Sequence, residues 1–272
     1  MRPDPVRRMA EIEEPSNLYL IHPLSARLVP LFARLRITPN MVSLAGMACG
    51  IAAGLAYFHY RDGRFALAGF LLMILWHVMD GADGQLARLT NAQSDLGKVL
   101  DGICDYVTFI AVYAALALAM GGGWLWVPAI AAGLCHAVQS AAYEAQRHAY
   151  GHWGWGKGTP VPGHVGRGLF GLLDRAYTGM QSRLAPVPRG LEAALVRATA
   201  DAVGRARYRA VFAPALRRWS ILSANYRTLG IFIAALAKAP LWYFGFDIFG
   251  FSAILAVLLI AQRARYHRFI MD

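Results

Sequence analysis

Residues Asp80–Asp105 read DGADGQLARLTNAQSDLGKVLDGICD, which sets aspartates at 80, 83, 101 and 105 inside otherwise apolar, helix-like sequence. An ionised carboxylate in a membrane or a core costs several kcal/mol unless something compensates it. Asp80 and Asp83 share one face of a helix, and so do Asp101 and Asp105. Two such faces joined by a short connection make an all-oxygen cage, the ligand set that Mg²⁺ or Mn²⁺ prefers. The stretch therefore predicts a divalent-metal site for phosphate chemistry at a membrane, with Asp80, Asp83, Asp101 and Asp105 as ligands.

The surrounding chain supports the membrane. Of 272 residues, 57% are hydrophobic and only 16% charged, whereas charge in soluble domains runs near one quarter. Apolar stretches near 40–60, 65–87, 98–120, 124–144, 219–237 and 241–262 each approach the roughly 20 residues that cross a bilayer core. The expectation is an all-α integral membrane bundle of six transmembrane helices, and a soluble helical protein is excluded by the number and length of the spans. The first forty residues are polar, with Glu11, Glu13 and Glu14 and no apolar run, so no signal peptide is expected. Cys49, Cys104 and Cys135 all fall within apolar spans, which makes them packed small side chains rather than a disulfide framework or a zinc site.

The net charge of +11 is unevenly distributed. Segment 149–218 holds eleven Lys and Arg against three acidic residues, and Arg263, Arg265 and Arg268 follow near the end. The turns at 121–123 and 238–240 carry none and one. This asymmetry predicts a multi-pass protein with both termini cytoplasmic and the aspartates on the cytoplasmic side, although the turn at Tyr60–Arg64 carries two arginines. A basic cytoplasmic face suits membrane lipid with anionic headgroups, and no stacking platform or binding motif points to nucleic acid.

Four regions follow. Residues 1–39 form a cytoplasmic N-terminus in which 17–36 read as an amphipathic surface helix. Thr38-Pro39-Asn40 then offers an N-cap and a proline at the first helical position. Residues 40–148 carry helices one to four and the aspartates. Residues 149–218 form a basic cytoplasmic insertion between helices four and five, rich in Gly and Pro at first and helix-like from about Leu169 to Arg209. Residues 219–272 carry helices five and six with a C-terminal tail.

The string Asp80-x-x-Asp83-Gly84-x-x-Ala87-Arg88, eight residues, then Gly97-x-x-x-Asp101-x-x-x-Asp105 resembles the motif of the CDP-alcohol phosphotransferase family at every defined position. The resemblance implies a transferase of substituted phosphate groups, moving a phospho-alcohol from a CDP-linked donor to an acceptor alcohol with release of CMP in phospholipid biosynthesis. It implies two Mg²⁺ or Mn²⁺ ions, one held by Asp80, Asp83 and Asp101 and the other near Asp80, Asp101 and Asp105. Asp105 becomes the catalytic general base. Gly84, Ala87 and Arg88 become contacts of the cytidine diphosphate, and Gly97 a structural member of the motif. Ser94 and Asn40 align with further donor-binding positions, for which a turn or cap role is an equal alternative. A homodimer is also implied.

Acceptor candidates are Glu144 and Arg147 at the end of span four, and Asn225 and Arg227 in span five. An arginine at the depth of Arg227 calls for a polar cavity, and pairing between Glu144 and Arg227 is the structural alternative. Asp247 reads as a structural partner. The compact size is similar to family members that use CDP-diacylglycerol and a soluble alcohol, while Thr90, Asn91 and Cys104 resemble those that use CDP-choline or CDP-ethanolamine with a lipid alcohol. An ion transporter built on intramembrane carboxylates is the reading of a different class. It predicts acids spread through the membrane depth, whereas these cluster with an arginine and small residues.

Overall fold

The fold is that of a computed structural model, which describes residues 9–159, 175, 178–184, 187–188 and 190–271. The described residues are helical, with no strand among them. A π-helical turn (Asn17–Ile21) leads into α1 (His22–Arg34), followed by α2 (Pro39–Phe58), α3 (Gly63–Leu89) and α4 (Asp95–Ala119). A short 3₁₀ turn (Gly123–Leu125) opens α5 (Trp126–Trp155). Next come α6 (Glu192–Ala198), α7 (Ala202–Trp219), α8 (Ala224–Leu236), α9 (Pro240–Gly245), a π-helical turn (Phe246–Gly250) and α10 (Phe251–Met271).

Among the described residues, five stretches are long and apolar enough to cross a membrane: Pro39–Phe58, Gly63–Leu89, Gly97–Ala119, Gly123–Trp155 and Pro240–Met271. The expected fifth span, 219–237, is not one helix. Trp219 ends α7, Ser220–Leu222 form a 3₁₀ turn, and extended Ser223 (ψ 164°) precedes α8. The Ser220 hydroxyl donates to the Arg217 carbonyl at 2.7 Å, the competition with helical pairing that serines bring. The 13 residues of α8 extend roughly 20 Å against a hydrocarbon core of about 30 Å.

Several boundaries follow their local chemistry. The side chain of Thr38 accepts the Met41 N–H at 3.4 Å, with Pro39 at the first helical position. Asp62 accepts the Arg64 N–H at 2.9 Å, and this bond with the adjacent guanidinium holds its carboxyl below the usual range. Gly121, Gly122 and Gly123 all have positive φ between α4 and α5. Helix α5 runs to Trp155, past the expected end of its span. In the expected insertion, α6 and α7 are separate helices with Asp201 capping α7 by accepting from Gly204 N–H at 2.7 Å. In the rest of the helix-like run expected from Leu169, residues 178–183 are helical, and residues 169–174, 176–177, 185–186 and 189 lie outside the described residues.

The chain divides into two compact units. One comprises Met1–Leu134 and Ala224–Ile248. Its core gathers Tyr57, Met73, Trp76, Phe109, Tyr113, Leu116, Ile231 and Phe244. Here α2 is the central helix, against both α3 and α4, because glycines at 46, 50 and 54 form a stripe one turn apart. A Cβ on Gly50 would lie 2.2 Å from Thr108 Oγ1, and one on Gly54 would lie 2.8 Å from the Ala111 carbonyl oxygen. Small side chains let helix backbones approach in a membrane without a hydrophobic drive between them. The other unit, Cys135–Ser223 with Phe249–Asp272, is held by aromatic contacts of Tyr208 with Phe212, Tyr266 and Phe269.

Residues 17–36, expected as an amphipathic surface helix, contain the π turn and α1, and part of this segment is buried. Ile21, Ser25 and Val29 are buried, and Ser25 Oγ donates to the Val78 carbonyl of α3 at 2.7 Å. Gly81 allows this approach, since a Cβ there would stand 2.6 Å from Ser25 Oγ. Val29 packs with Val42, Ala82 and Leu86. Tyr19, Leu20, Leu31 and Leu35 stay exposed on the other side.

Candidate functional site

Helix α3 carries Asp80 and Asp83 in its last turns, and α4 carries Asp101 and Asp105 in its first ones. The connection between them is short. Asn91 adopts the left-handed conformation (φ 52°) and the Thr90 hydroxyl donates to the Leu86 carbonyl at 2.9 Å. Thr90 and Asn91 thus serve the turn. Ser94 then caps α4 by accepting the Gly97 N–H at 3.0 Å.

This turn brings the two aspartate pairs together. Carboxylate oxygens of Asp80, Asp101 and Asp105 all lie within 4.8 Å of one another, and all three residues are half-buried. Asp83 is the most enclosed of the four, at 6% exposure. Ser43 of α2 donates its hydroxyl to Asp83 Oδ2. A cavity at this point is lined by Ser43, Gly46, Trp76, Cys104 and the four aspartates. A hard divalent cation takes oxygen ligands gathered around one small volume, and the cluster of Asp80, Asp101 and Asp105 could supply them.

The other motif residues make close contacts of their own. Arg88 lies back along α3, so that a Cβ on Gly84 would meet its Nη1 at 3.3 Å. A Cβ on Gly97 would stand 3.1 Å from Ser94 Oγ and 3.3 Å from Asn40 Oδ1. Asn40, Ser94 and Gly97 therefore converge, although they come from α2 and the start of α4. Ser94 is a helix cap by direct observation.

The acceptor candidates fall in both units, Asn225 and Arg227 in the first and Glu144 and Arg147 in the second. Arg227 is fully buried, and its guanidinium donates to Asp247 in an ion pair closed by the Tyr113 hydroxyl, which donates to Asp247 at 3.0 Å. Asn225 donates to Ser16 Oγ at 2.9 Å and to Asn17 Oδ1 at 2.7 Å. Both residues thus make contacts that tie the first unit together. Glu144 pairs with Arg147 one turn away at 3.0 Å.

Sequence reasoning missed Ser43, Gly46 and Trp76, and it read Cys104 as packing and as a likeness to one family branch, not as lining of the cavity. The spacing of Asn40, Ser43 and Gly46 on one helical stripe was the available signal.

Comparison with known proteins agrees with the motif. Residues 36–170 match the family model for CDP-alcohol phosphatidyltransferase. The chain is 31% identical to choline/ethanolaminephosphotransferase 1 of Arabidopsis thaliana over 40% of its own length and 31% of the plant protein. It is 31% identical to the inner membrane protein YnjF of Escherichia coli over 48% of its length and 66% of that protein. It is also 31% identical to the phosphatidylinositol phosphate synthase of Mycobacteroides abscessus over 39% of its length and 44% of that protein. In each case the match spans less than two thirds of the relative.

Proposed function

The chain belongs to the CDP-alcohol phosphatidyltransferase family through residues 36–170, and from that premise we propose that it transfers a phosphatidyl group from CDP-diacylglycerol to the hydroxyl of a water-soluble alcohol, releasing CMP. The observation that carries this reading is the cluster of Asp80, Asp101 and Asp105, whose ligand oxygens lie within 4.8 Å. The donor set is all oxygen and fits Mg²⁺ or Mn²⁺. Two such ions, when bound, neutralise charge on the diphosphate and on the departing CMP.

The residues divide the remaining work. Asp80, Asp83 and Asp101 would hold one ion, and Asp80, Asp101 and Asp105 the other. Asp105 accepts the proton of the acceptor hydroxyl as its oxygen bonds to the phosphorus bearing the diacylglycerol. The bond from that phosphorus to the CMP oxygen breaks, and CMP leaves with the electron pair. Arg88 presents a planar cation to the diphosphate. Gly84 and Ala87 leave room for the cytidine diphosphate on α3, with Asn40 and Ser94 meeting it across Gly97.

In the membrane, the first four spans keep the expected order and the aspartates face the cytoplasm, with both termini on that side. Helix α8 makes a fifth, shorter crossing, roughly 20 Å by helical rise. Residues 149–218 form the cytoplasmic insertion, and the protein works as a homodimer.

The second reading, a CDP-choline or CDP-ethanolamine donor with a lipid alcohol acceptor, is favoured by likeness to the plant choline/ethanolaminephosphotransferase. Thr90 and Asn91 give it less support, since both serve the turn. A transporter is disfavoured by the gathering of acids at one cavity beside an arginine. The test is transfer by the purified protein in nanodiscs, given labelled CDP-diacylglycerol or CDP-choline with panels of soluble and lipid alcohols. Labelled lipid is expected from CDP-diacylglycerol with a soluble acceptor. Product formed only from CDP-choline and a lipid alcohol would select the second reading.

A further inference from the structure

The four aspartates are not equivalent, and the difference originates on a helix outside the motif. Ser43 sits one turn into α2 and is itself buried at 6% exposure. Its one hydroxyl proton has two acceptors in range, Asp83 Oδ2 and, at 3.2 Å, the Pro39 carbonyl. The carboxylate is the nearer, and charge makes it the stronger acceptor. Asp83 is the motif aspartate absent from the tight triad of Asp80, Asp101 and Asp105. Its carboxylate is turned toward α2, where the hydroxyl meets it.

We propose that Ser43 is a positioning residue that orients Asp83 and thereby sets the affinity of one of the two metal positions, the one that includes Asp83, while leaving the other to the triad. This rests on the metal-dependent reading of the site. A bound carboxylate ligand must hold one rotamer, and its outer-shell partner fixes that rotamer; loss of such a partner typically lowers metal affinity by about 10–100-fold. Gly46, next on the same stripe, keeps α2 close to α3: a Cβ there would meet Met79 Cβ at 3.1 Å. The Ser43 hydroxyl is therefore delivered by the packing of α2 on α3, which couples helix association to metal affinity.

The experiment is direct Mn²⁺ binding to the full-length protein in detergent, followed by electron paramagnetic resonance of the free ion, without substrate or turnover. Wild type is expected to bind two ions. Ser43→Ala should weaken one of them about tenfold and leave the other within about twofold. Ser43→Thr, which keeps the hydroxyl, should restore the lost affinity. In an Asp83→Asn background, Ser43→Ala should have no further effect, because the two residues act as one unit. Unchanged affinity of both ions in a folded Ser43→Ala protein would overturn the role of Ser43. Absence of Mn²⁺ binding in wild type would instead overturn the metal-dependent reading beneath it.

Discussion

Gly50 of α2 stands directly against Thr108 of α4: a Cβ added to the glycine would lie 2.2 Å from Thr108 Oγ1 and 2.7 Å from Thr108 Cβ. The second distance decides the consequence. Rotating the threonine moves its hydroxyl and methyl but not its Cβ, so Gly50→Ala has to push α2 away from α4.

Overpacking of this kind costs about 1–3 kcal/mol, and here it also displaces Ser43 and Asn40 from the site. Gly50→Ala should lower the thermal midpoint and the activity together. Adding Thr108→Ala should rescue little, because a Cβ remains, whereas Thr108→Gly should restore packing. Thermal unfolding of the three variants in detergent checks the order.

Gly97 presents the opposite case. A Cβ there lies 3.1 Å from the capping oxygen of Ser94 and 3.3 Å from Asn40 Oδ1, distances that small adjustments can absorb. Disturbing the cap costs about 1 kcal/mol, and replacing glycine by alanine in a helix returns about the same. Gly97→Ala should therefore leave the thermal midpoint nearly unchanged while weakening donor binding by at least several-fold. Equal donor affinity in a titration of CDP-diacylglycerol would remove Asn40 and Ser94 from the donor site.

Arg227 and Asp247 make a stability prediction where the sequence suggested substrate binding. Both are fully buried and paired with each other. Removing one partner of a buried pair costs about 3–5 kcal/mol, whereas replacing both by apolar residues can be nearly neutral. Arg227→Met should be severely destabilised, and Arg227→Met with Asp247→Leu should recover much of the loss, although the Tyr113 hydroxyl then loses its carboxylate acceptor. The recovered protein should keep the acceptor KM of wild type. A large rise in that KM at full stability would return Arg227 to the acceptor site.

The aspartates separate binding from chemistry. Asp105→Asn removes a proton acceptor with little change in volume, and donor binding should survive while transfer collapses. Asp80→Asn should lose both, because the proposed site places Asp80 at both ions. Near-normal turnover in Asp105→Asn would move the general base elsewhere.

Most of this site was legible because its residues are costly. An apolar helix does not tolerate Asp80, Asp83, Asp101 and Asp105 without a reason, and their spacing announced the two faces. The short turn through Asn91 and the cap at Ser94 made their convergence a local matter. Ser43 was not legible, since a single serine on an apolar helix is cheap and its partner is distant in sequence. The same limit applies to Arg227: its depth signalled a polar surrounding, but only the fold shows that Asp247 supplies it. The break at Ser220–Ser223 was hidden for another reason, because hydropathy averages over a window and does not register a local change of backbone.

The most direct test of the central claim is thermal stabilisation of the purified protein by a CDP-alcohol with and without a divalent cation. CDP-diacylglycerol with Mg²⁺ or Mn²⁺ should raise the midpoint by several degrees, as ligand in excess of Kd must when it binds only the folded state. Chelator should remove nearly all of that shift in wild type, and Asp80→Asn should show none with metal present. Equal stabilisation by the nucleotide in the presence of chelator would contradict a metal-dependent site at Asp80, Asp83, Asp101 and Asp105.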